Sequence, residues 1–174
     1  MIIVYGAAGS GKSNTAENII TSLAKEGAEK LFYIATMEKE SEAAKIRIAR
    51  HRKQREGKGF ITIEEPFNLE NCLEEVKDGY VLVEDVSNLL ANNFFASGKA
   101  DLNEQFIKLD EIAKEVVVVA NNIFEEGPSD DKECDNYLRA LAKLHMDLTQ
   151  KANTFVEVIC GQEIIRRGVK TWQY

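Results

Sequence analysis

The feature that most constrains this chain is a glycine-rich segment near its N-terminus, directly behind the apolar run Met1-Ile-Ile-Val-Tyr5. The segment has the spacing G-x-x-x-x-G-K-[ST] and consists of Gly6, Ala7, Ala8, Gly9, Ser10, Gly11, Lys12 and Ser13. Between a strand and a helix, such a segment presents backbone N–H groups and the positive end of a helix dipole to phosphate. We therefore predict that these eight residues bind a nucleoside triphosphate, with Lys12 on the β- and γ-phosphates and Ser13 on Mg²⁺. The alternative is an ordinary strand–turn–helix junction.

Size and composition indicate one domain covering residues 1–174, because 44% hydrophobic residues is ordinary for a globular protein of this length. No apolar run approaches the roughly 20 residues that span a bilayer, and the N-terminus lacks the pattern of a signal peptide. We expect a cytoplasmic protein without a membrane span. Cys72, Cys134 and Cys160 lack CxxC spacing, which favours neither a disulfide framework nor a zinc site.

The net charge of −7 argues against general nucleic-acid binding, but the charge is unevenly distributed. One predicted helix, residues 40–55 with its flank to residue 58, is called the basic helix here. It contains one acid after residue 45, Glu56, and seven cations: Lys45, Arg47, Arg50, Arg52, Lys53, Arg55 and Lys58. This concentration suits a phosphate-bearing ligand, and the alternative is a solvated basic face.

The hydrophobic pattern alternates predicted strands with predicted helices. Strands are expected at residues 1–5, 30–35, 60–63, 80–83, 116–120 and 155–160, with a possible extended segment at 163–170. We expect Gly27 to end the first helix, Asn68 to cap a short one, a loop with Gly127-Pro128, and a long helix over 133–152. The pattern predicts an α/β fold of the RecA-like P-loop NTPase class, a mostly parallel sheet with helices on both faces.

Ligands bind at the carboxyl ends of the strands in such a sheet. The residues expected at that edge, near the triphosphate, are Lys12, Ser13, Thr36, Glu84, Asp85 and Asn122. Glu84 follows the run Tyr80-Val-Leu-Val83 and is our preferred metal-related acid, because it lies nearer the strand end than Asp85. Acids after strands are also common in ordinary loops, so the pattern alone leaves that alternative open.

His51 lies in the middle of the basic helix, with Arg47 and Arg55 four residues to either side and therefore on the same face. A neutral imidazole can attack phosphorus, and neighbouring guanidinium groups would lower its pKa and neutralise the phosphate. The alternative is a histidine with a surface or packing role. We interpret the other histidine, His145, as structural.

These motifs resemble the adenosylcobinamide kinase/adenosylcobinamide-phosphate guanylyltransferase family of cobalamin biosynthesis. The resemblance rests on the phosphate loop at residues 6–13, on Tyr33-Ile-Ala-Thr36, on Arg47-Ile-Ala-Arg-His51-Arg52 followed by Arg55, and on Thr62-Ile-Glu-Glu-Pro66. The resemblance is specific over residues 1–95 and weaker in the rest of the chain.

The resemblance implies a bifunctional enzyme that phosphorylates adenosylcobinamide with ATP or GTP and then transfers GMP from GTP to the product. It implies that His51 carries GMP as a phosphoramidate, that Arg47 and Arg55 clamp phosphate, and that Thr36 and Glu65 join the nucleotide-binding residues. It also implies Mg²⁺ as the metal, a corrinoid as the small-molecule substrate, and a homo-oligomer, namely a trimer.

The second half departs from the family pattern at Asn121-Asn122 and the residues up to Gly127, at Lys143, at His145-Met146 and at Asn153. Two other functions therefore stay open from the residues alone. One is a P-loop kinase of another small metabolite, in which His51 has no covalent role. The other is a nucleotide-binding regulatory module without catalysis.

Overall fold

The computed structural model describes residues 1–24, 30–38, 42–124 and 131–173. The described residues form seven strands, six α-helices and one 3₁₀ turn. In chain order these are β1 Ile2–Gly6, α1 Lys12–Leu23, β2 Leu31–Ala35, α2 Glu42–Arg55, β3 Ile61–Glu64, the 3₁₀ turn Leu69–Cys72, α3 Leu73–Val76, β4 Tyr80–Glu84, α4 Val86–Ser97, α5 Asn103–Ile112, β5 Glu115–Asn121, α6 Lys132–Lys151, β6 Thr154–Ile159 and β7 Gln162–Arg167.

The strands form one sheet in the order β3-β2-β4-β5-β1-β6-β7. All neighbouring pairs are parallel except β6 with β7, which form an antiparallel hairpin. Strand β5 lies between β1, which leads into the phosphate loop, and β4, which ends at Glu84. This arrangement confirms the predicted RecA-like α/β fold with a mostly parallel sheet.

Helices cover both faces of the sheet, and alternate residues of the strands bury themselves against each layer. Ile2 and Val4 of β1 pack with Ile19 and Ile20 of α1 on one face. Ile3 faces the opposite layer, where α4, α5 and α6 supply the core. Among its described side chains, α2 contributes none to either cluster, so the basic helix is positioned by other means.

Most predicted element boundaries agree with the structure. Helix α1 begins at Lys12 and ends at Leu23, and the Asn68 side chain accepts a hydrogen bond from Glu70 N–H at the start of the 3₁₀ turn. The expected helix stop at Gly27, the first two residues of the basic helix and the Gly127-Pro128 turn lie outside the described residues. No helix within the described ranges is long and apolar enough to cross a bilayer.

The β6–β7 hairpin offers a matched test of backbone strain. Gly168 has φ +80°, and a Cβ there would lie 2.2 Å from the Asn153 carbonyl oxygen; Gly161 has φ +77° with open space around it. Gly168→Ala should lower the free energy of unfolding by about 2–5 kcal/mol, since a left-handed residue costs about 1–2 kcal/mol and overpacking about 1–3 kcal/mol. Gly161→Ala should cost only the conformational part, about 1–2 kcal/mol. Urea denaturation measures both, and equal losses would contradict the assigned clash.

Candidate active site

The phosphate loop has the backbone geometry that its sequence predicts. Gly6 ends β1 and Lys12 begins α1, while Gly9 and Gly11 adopt φ of +73° and +96°, a region that favours glycine. Ser10 N–H donates to the Ala7 carbonyl at 3.1 Å, and Gly161 N–H of the β6–β7 hairpin donates to the Ser10 carbonyl at 2.8 Å. The loop is therefore a closed turn at a helix N-terminus, which is a ready anion site.

Lys12 lies inside this loop and not in solvent. Its side chain is 7% exposed, and its Nζ donates to the Ala7 carbonyl at 3.1 Å. Burial lowers the pKa of Lys12, while the carboxylates of Asp85 and Glu84 act in the opposite direction. The loop thus holds a buried positive charge where a polyphosphate would provide its counter-charge.

Glu84 connects the end of β4 to the phosphate loop. Its Oε1 accepts a hydrogen bond of 2.6 Å from Ser13 Oγ, and its buried Oε2 has no hydrogen-bond partner among the described residues. Burial raises the pKa of Glu84 to about 7, although the hydrogen bond from Ser13 opposes this. A hydroxyl and a carboxylate beside a phosphate loop fit Mg²⁺, which prefers oxygen ligands and completes its shell with phosphates and water.

Asp85 has a different task. Its Oδ1 accepts from Ser87 N–H at 2.9 Å and caps α4, while its Oδ2 accepts from the side-chain amides of Asn88 and Asn121. Three donors thus occupy this carboxylate, whereas Glu84 Oε2 has no described partner, and the preference for Glu84 as the metal-related acid stays a prediction.

Thr36 joins the ends of two strands at the same edge. It is fully buried, and its hydroxyl lies 2.8 Å from the carbonyl oxygens of both Glu84 and Asp85. Thr36 lines the cavity, so a nucleotide contact stays a prediction, but its observed contacts serve to hold β2 against β4.

The basic helix brings His51 to the loop. His51 Nδ1 lies 4.0 Å from Glu84 Oε1, and this nitrogen is buried without a hydrogen-bond partner among the described residues. Burial lowers the pKa of His51 to about 4, with further contributions from Arg50, Arg55 and Arg47. The imidazole is therefore neutral at neutral pH, as a nucleophile requires.

The two arginines on the His51 face are placed differently. Arg47 is exposed and lines the cavity. Arg55 is 7% exposed, and its Cζ lies 3.3 Å from the centroid of the Tyr33 ring, a cation–π stack. Its Nε and Nη1 are buried without hydrogen-bond partners among the described residues. Arg55 therefore secures the helix and also has N–H groups free for a ligand.

These groups surround one cavity of about 370 Å³, a size typical of small-molecule sites. Of the predicted site residues, the cavity is lined by Ala8, Gly9, Gly11, Lys12, Ser13, Thr36, Arg47, His51, Arg55 and Glu84. Gly6, Ala7 and Ser10 form the rest of the loop and do not line the cavity.

Glu65 also does not line the cavity. Its Oε1 accepts from the N–H groups of Phe67 and Asn68, and its Oε2 accepts from the Asn71 side chain. The carboxylate thus organises the turn before the 3₁₀ segment, while the neighbouring Glu64 lines the cavity. Nucleotide binding by Glu65 stays a prediction that these contacts do not favour.

Asn122 lies at the predicted edge, where its N–H donates to the Gly6 carbonyl at 2.9 Å, but the neighbouring Asn121 is the one that lines the cavity. Strand β5 continues to Asn121, whose side chain lines the cavity and donates to Asp85, whereas Asn122 Oδ1 accepts from Phe124 N–H. The last ladder pair, Gly6 with Asn121, extends the strand beyond its apolar run. An apolar run alone could not indicate this polar final residue.

Comparisons with known proteins agree with this geometry. The sequence model of the family described as cobinamide kinase / cobinamide phosphate guanyltransferase matches residues 2–165 of the 174. No curated protein matches the chain significantly. A similar solved structure is the flagellar accessory protein FlaH from Methanocaldococcus jannaschii, with a TM-score of 0.54, 14% identity, and coverage of 99% of this chain and 81% of that one.

The likeness to FlaH, at such low identity, concerns the fold alone. The family match, in contrast, includes the phosphate loop, Glu84 and the basic helix with His51. A match over nearly the whole sequence shows that the chain belongs to the cobinamide kinase / cobinamide phosphate guanyltransferase family, the bifunctional transferases of cobalamin biosynthesis.

Proposed function

We propose that this chain carries out both family reactions in the cavity described above, with His51 as the covalent carrier of the guanylyl group. The observation that carries the proposal is the position of His51. Its Nδ1 lies 4.0 Å from Glu84 Oε1, the oxygen that accepts a hydrogen bond from the Ser13 hydroxyl. This places a neutral imidazole beside the phosphate loop, where a bound triphosphate would lie.

The phosphate loop binds the triphosphate of ATP or GTP through its backbone N–H groups and the helix dipole. Lys12 supplies positive charge to the β- and γ-phosphates. Ser13 and Glu84 would hold Mg²⁺, which supplies charge neutralisation and alignment of the phosphates. The kinase reaction moves the γ-phosphoryl group to a hydroxyl of the cobinamide, and it needs mainly this positioning and charge stabilisation.

In guanylyl transfer, one ring nitrogen of His51 attacks the α-phosphorus of GTP, and the bond from that phosphorus to the bridging oxygen breaks. Pyrophosphate leaves, and GMP is held as a phosphoramidate. A phosphate oxygen of the cobinamide phosphate then attacks the same phosphorus, the N–P bond breaks, and His51 is regenerated. Burial, together with the guanidinium groups of Arg50, Arg55 and Arg47, keeps the imidazole neutral, and these guanidinium groups offset the negative charge at the α-phosphorus.

The family resemblance supports adenosylcobinamide as the acceptor of the phosphoryl group, its phosphorylated form as the acceptor of the guanylyl group, and a homotrimer as the working assembly.

A labelling experiment separates this proposal from a P-loop kinase without covalent chemistry. The protein is incubated with GTP labelled at the α-phosphate and tested for acid-labile, base-stable label. A phosphoramidate supports the proposal, whereas turnover without label would assign the kinase reaction alone. Nucleotide binding with neither would favour a regulatory module.

Lys12→Ala should reduce both NTP-dependent activities by about 10²–10³-fold, because it removes a buried cation from the site of charge development. Steady-state kinase assays and α-phosphate labelling measure the two losses. The control Lys143→Ala removes a lysine that is 66% exposed on α6 and should have no effect. Near-normal turnover by folded Lys12→Ala would refute the phosphate-loop assignment.

His51→Ala should abolish labelling by GTP while nucleotide binding and kinase turnover persist, because the phosphate loop and Glu84 need no imidazole for phosphoryl transfer. His145→Gln is the matched control: His145 packs edge-on between Tyr5 and Phe124 and should not affect labelling. Labelled His51→Ala would place the nucleophile elsewhere. Loss of GTP binding would make His51 a binding residue.

The imidazole of His51 should titrate with a pKa near 4 instead of its ordinary value of 6.5, since burial and three arginines disfavour its protonation. Its ring-proton NMR resonance, assigned with His51→Ala, should show no shift of the size that imidazole protonation causes from pH 8 down to about pH 5.5, and should show that shift only at lower pH. Arg50→Gln should raise the pKa. A midpoint near 6.5 in the wild-type protein would contradict the buried position of His51.

A further inference from the structure

The basic helix is held to the protein mainly at its C-terminal end. Among the side chains of α2 that the structure describes, Arg55 in the last turn is the single buried one, and Ile46 toward the other end is 71% exposed. The exposed Lys45–Glu42 pair lies within the helix itself and anchors it to nothing else. A helix without an apolar face depends on specific contacts for its position.

The chain forms a tight turn directly after this helix. Gly57 and Gly59 adopt φ of +77° and +78°, and Lys58 N–H donates to the Arg55 carbonyl at 3.0 Å. The turn sends the Lys58 side chain back to α1, where its Nζ donates to Glu17 Oε2 at 2.7 Å. Lys58 and the Arg55–Tyr33 stack thus fasten the same end of the helix.

Glu17 is a buried carboxylate that the proposed reactions do not use. It lies on α1 five residues after Lys12 and is 0% exposed, and its Oε1 has no hydrogen-bond partner among the described residues. Burial raises the pKa of Glu17, while the Lys58 ammonium and the nearby Arg55 act in the opposite direction. Removing one partner of a buried ion pair is strongly destabilising, so the pair resists separation.

We propose that Glu17 is a positioning residue for guanylyl transfer: through Lys58 it ties the last turns of the basic helix to the helix that carries the phosphate loop. His51 lies four residues before Arg55, one helical turn from this anchor. Since α1 also carries Lys12 and Ser13, one helix positions both the triphosphate and its nucleophile. The inference rests on the proposed function in one respect, namely that His51 receives the guanylyl group.

The test variant is Glu17→Gln, which keeps the side-chain shape and removes the charge. In single-turnover labelling with α-phosphate-labelled GTP, the maximal rate should fall by about 10²-fold, the loss typical of a misplaced reacting group. The GTP concentration for half-maximal labelling and the kinase turnover should change less than about threefold, because the Glu17 side chain bonds to Lys58 and does not line the cavity. Such a split between rate and binding is not expected from a purely structural role.

The matched control is Glu42→Gln, which breaks the exposed Lys45–Glu42 ion pair within α2, with Glu42 83% exposed. It should label at the wild-type rate. Hydrogen exchange across residues 45–56 should become faster in Glu17→Gln than in Glu42→Gln, while exchange in β1 and β5 stays unchanged. A folded Glu17→Gln protein with wild-type labelling would refute the proposal.

Lys58→Gln provides a second test from the other side of the pair; Lys58 is 28% exposed, and the buried Glu17 carboxyl that it leaves behind can be neutralised by a proton. Lys58→Gln should show the same selective loss, and wild-type labelling in this variant would overturn the proposal. If the wild-type protein itself takes up no label, the covalent step fails; hydrogen exchange in residues 45–56 still decides whether the Glu17–Lys58 pair anchors the helix.

Discussion

The hydrogen bond from Ser13 Oγ to Glu84 Oε1 is the interaction on which the site depends. It connects the start of α1 to the end of β4 across the intervening strand β5. The parallel sheet brings these strand ends to one edge, and burial of both sheet faces leaves little freedom for them to shift. Glu84 Oε1 accepts the Ser13 hydrogen bond, and its buried Oε2 has no described partner. A cation or a hydrogen-bond donor of a ligand could supply that partner.

Charge balance explains why a basic helix lies over an otherwise acidic protein. Lys12, Arg55 and Glu84 at the cavity, and Glu17 outside its lining, are all largely removed from water. Removing charges from water is costly unless each one has a partner, and in this site the partners come from different elements. The same low-polarity surroundings that raise the pKa of Glu84 lower that of His51, so the imidazole stays neutral beside a cluster of arginines.

Sequence reasoning predicted the local parts of this molecule well. The turn from β1 into α1, the end of α2 near Gly57 and the Asn68 cap depend on residues close together in the chain, and the structure confirms each. Sequence reasoning did not indicate that Asn121 donates to Asp85 or that the Glu65 carboxylate accepts from the backbone of a turn. Strand length and side-chain direction decided both contacts, and a local pattern specifies neither.

By itself the sequence determined the phosphate loop, the alternation of strands and helices, and the family. Each of these depends on the types and spacing of residues that are close together in the chain. Only the tertiary structure decided that Arg55 stacks on Tyr33, that Glu17 holds Lys58 and that His51 stands beside Glu84. These contacts join residues 22, 41 and 33 positions apart. No local pattern specifies such pairs, since they follow from packing of the sheet and from the need of each buried charge for a counter-charge.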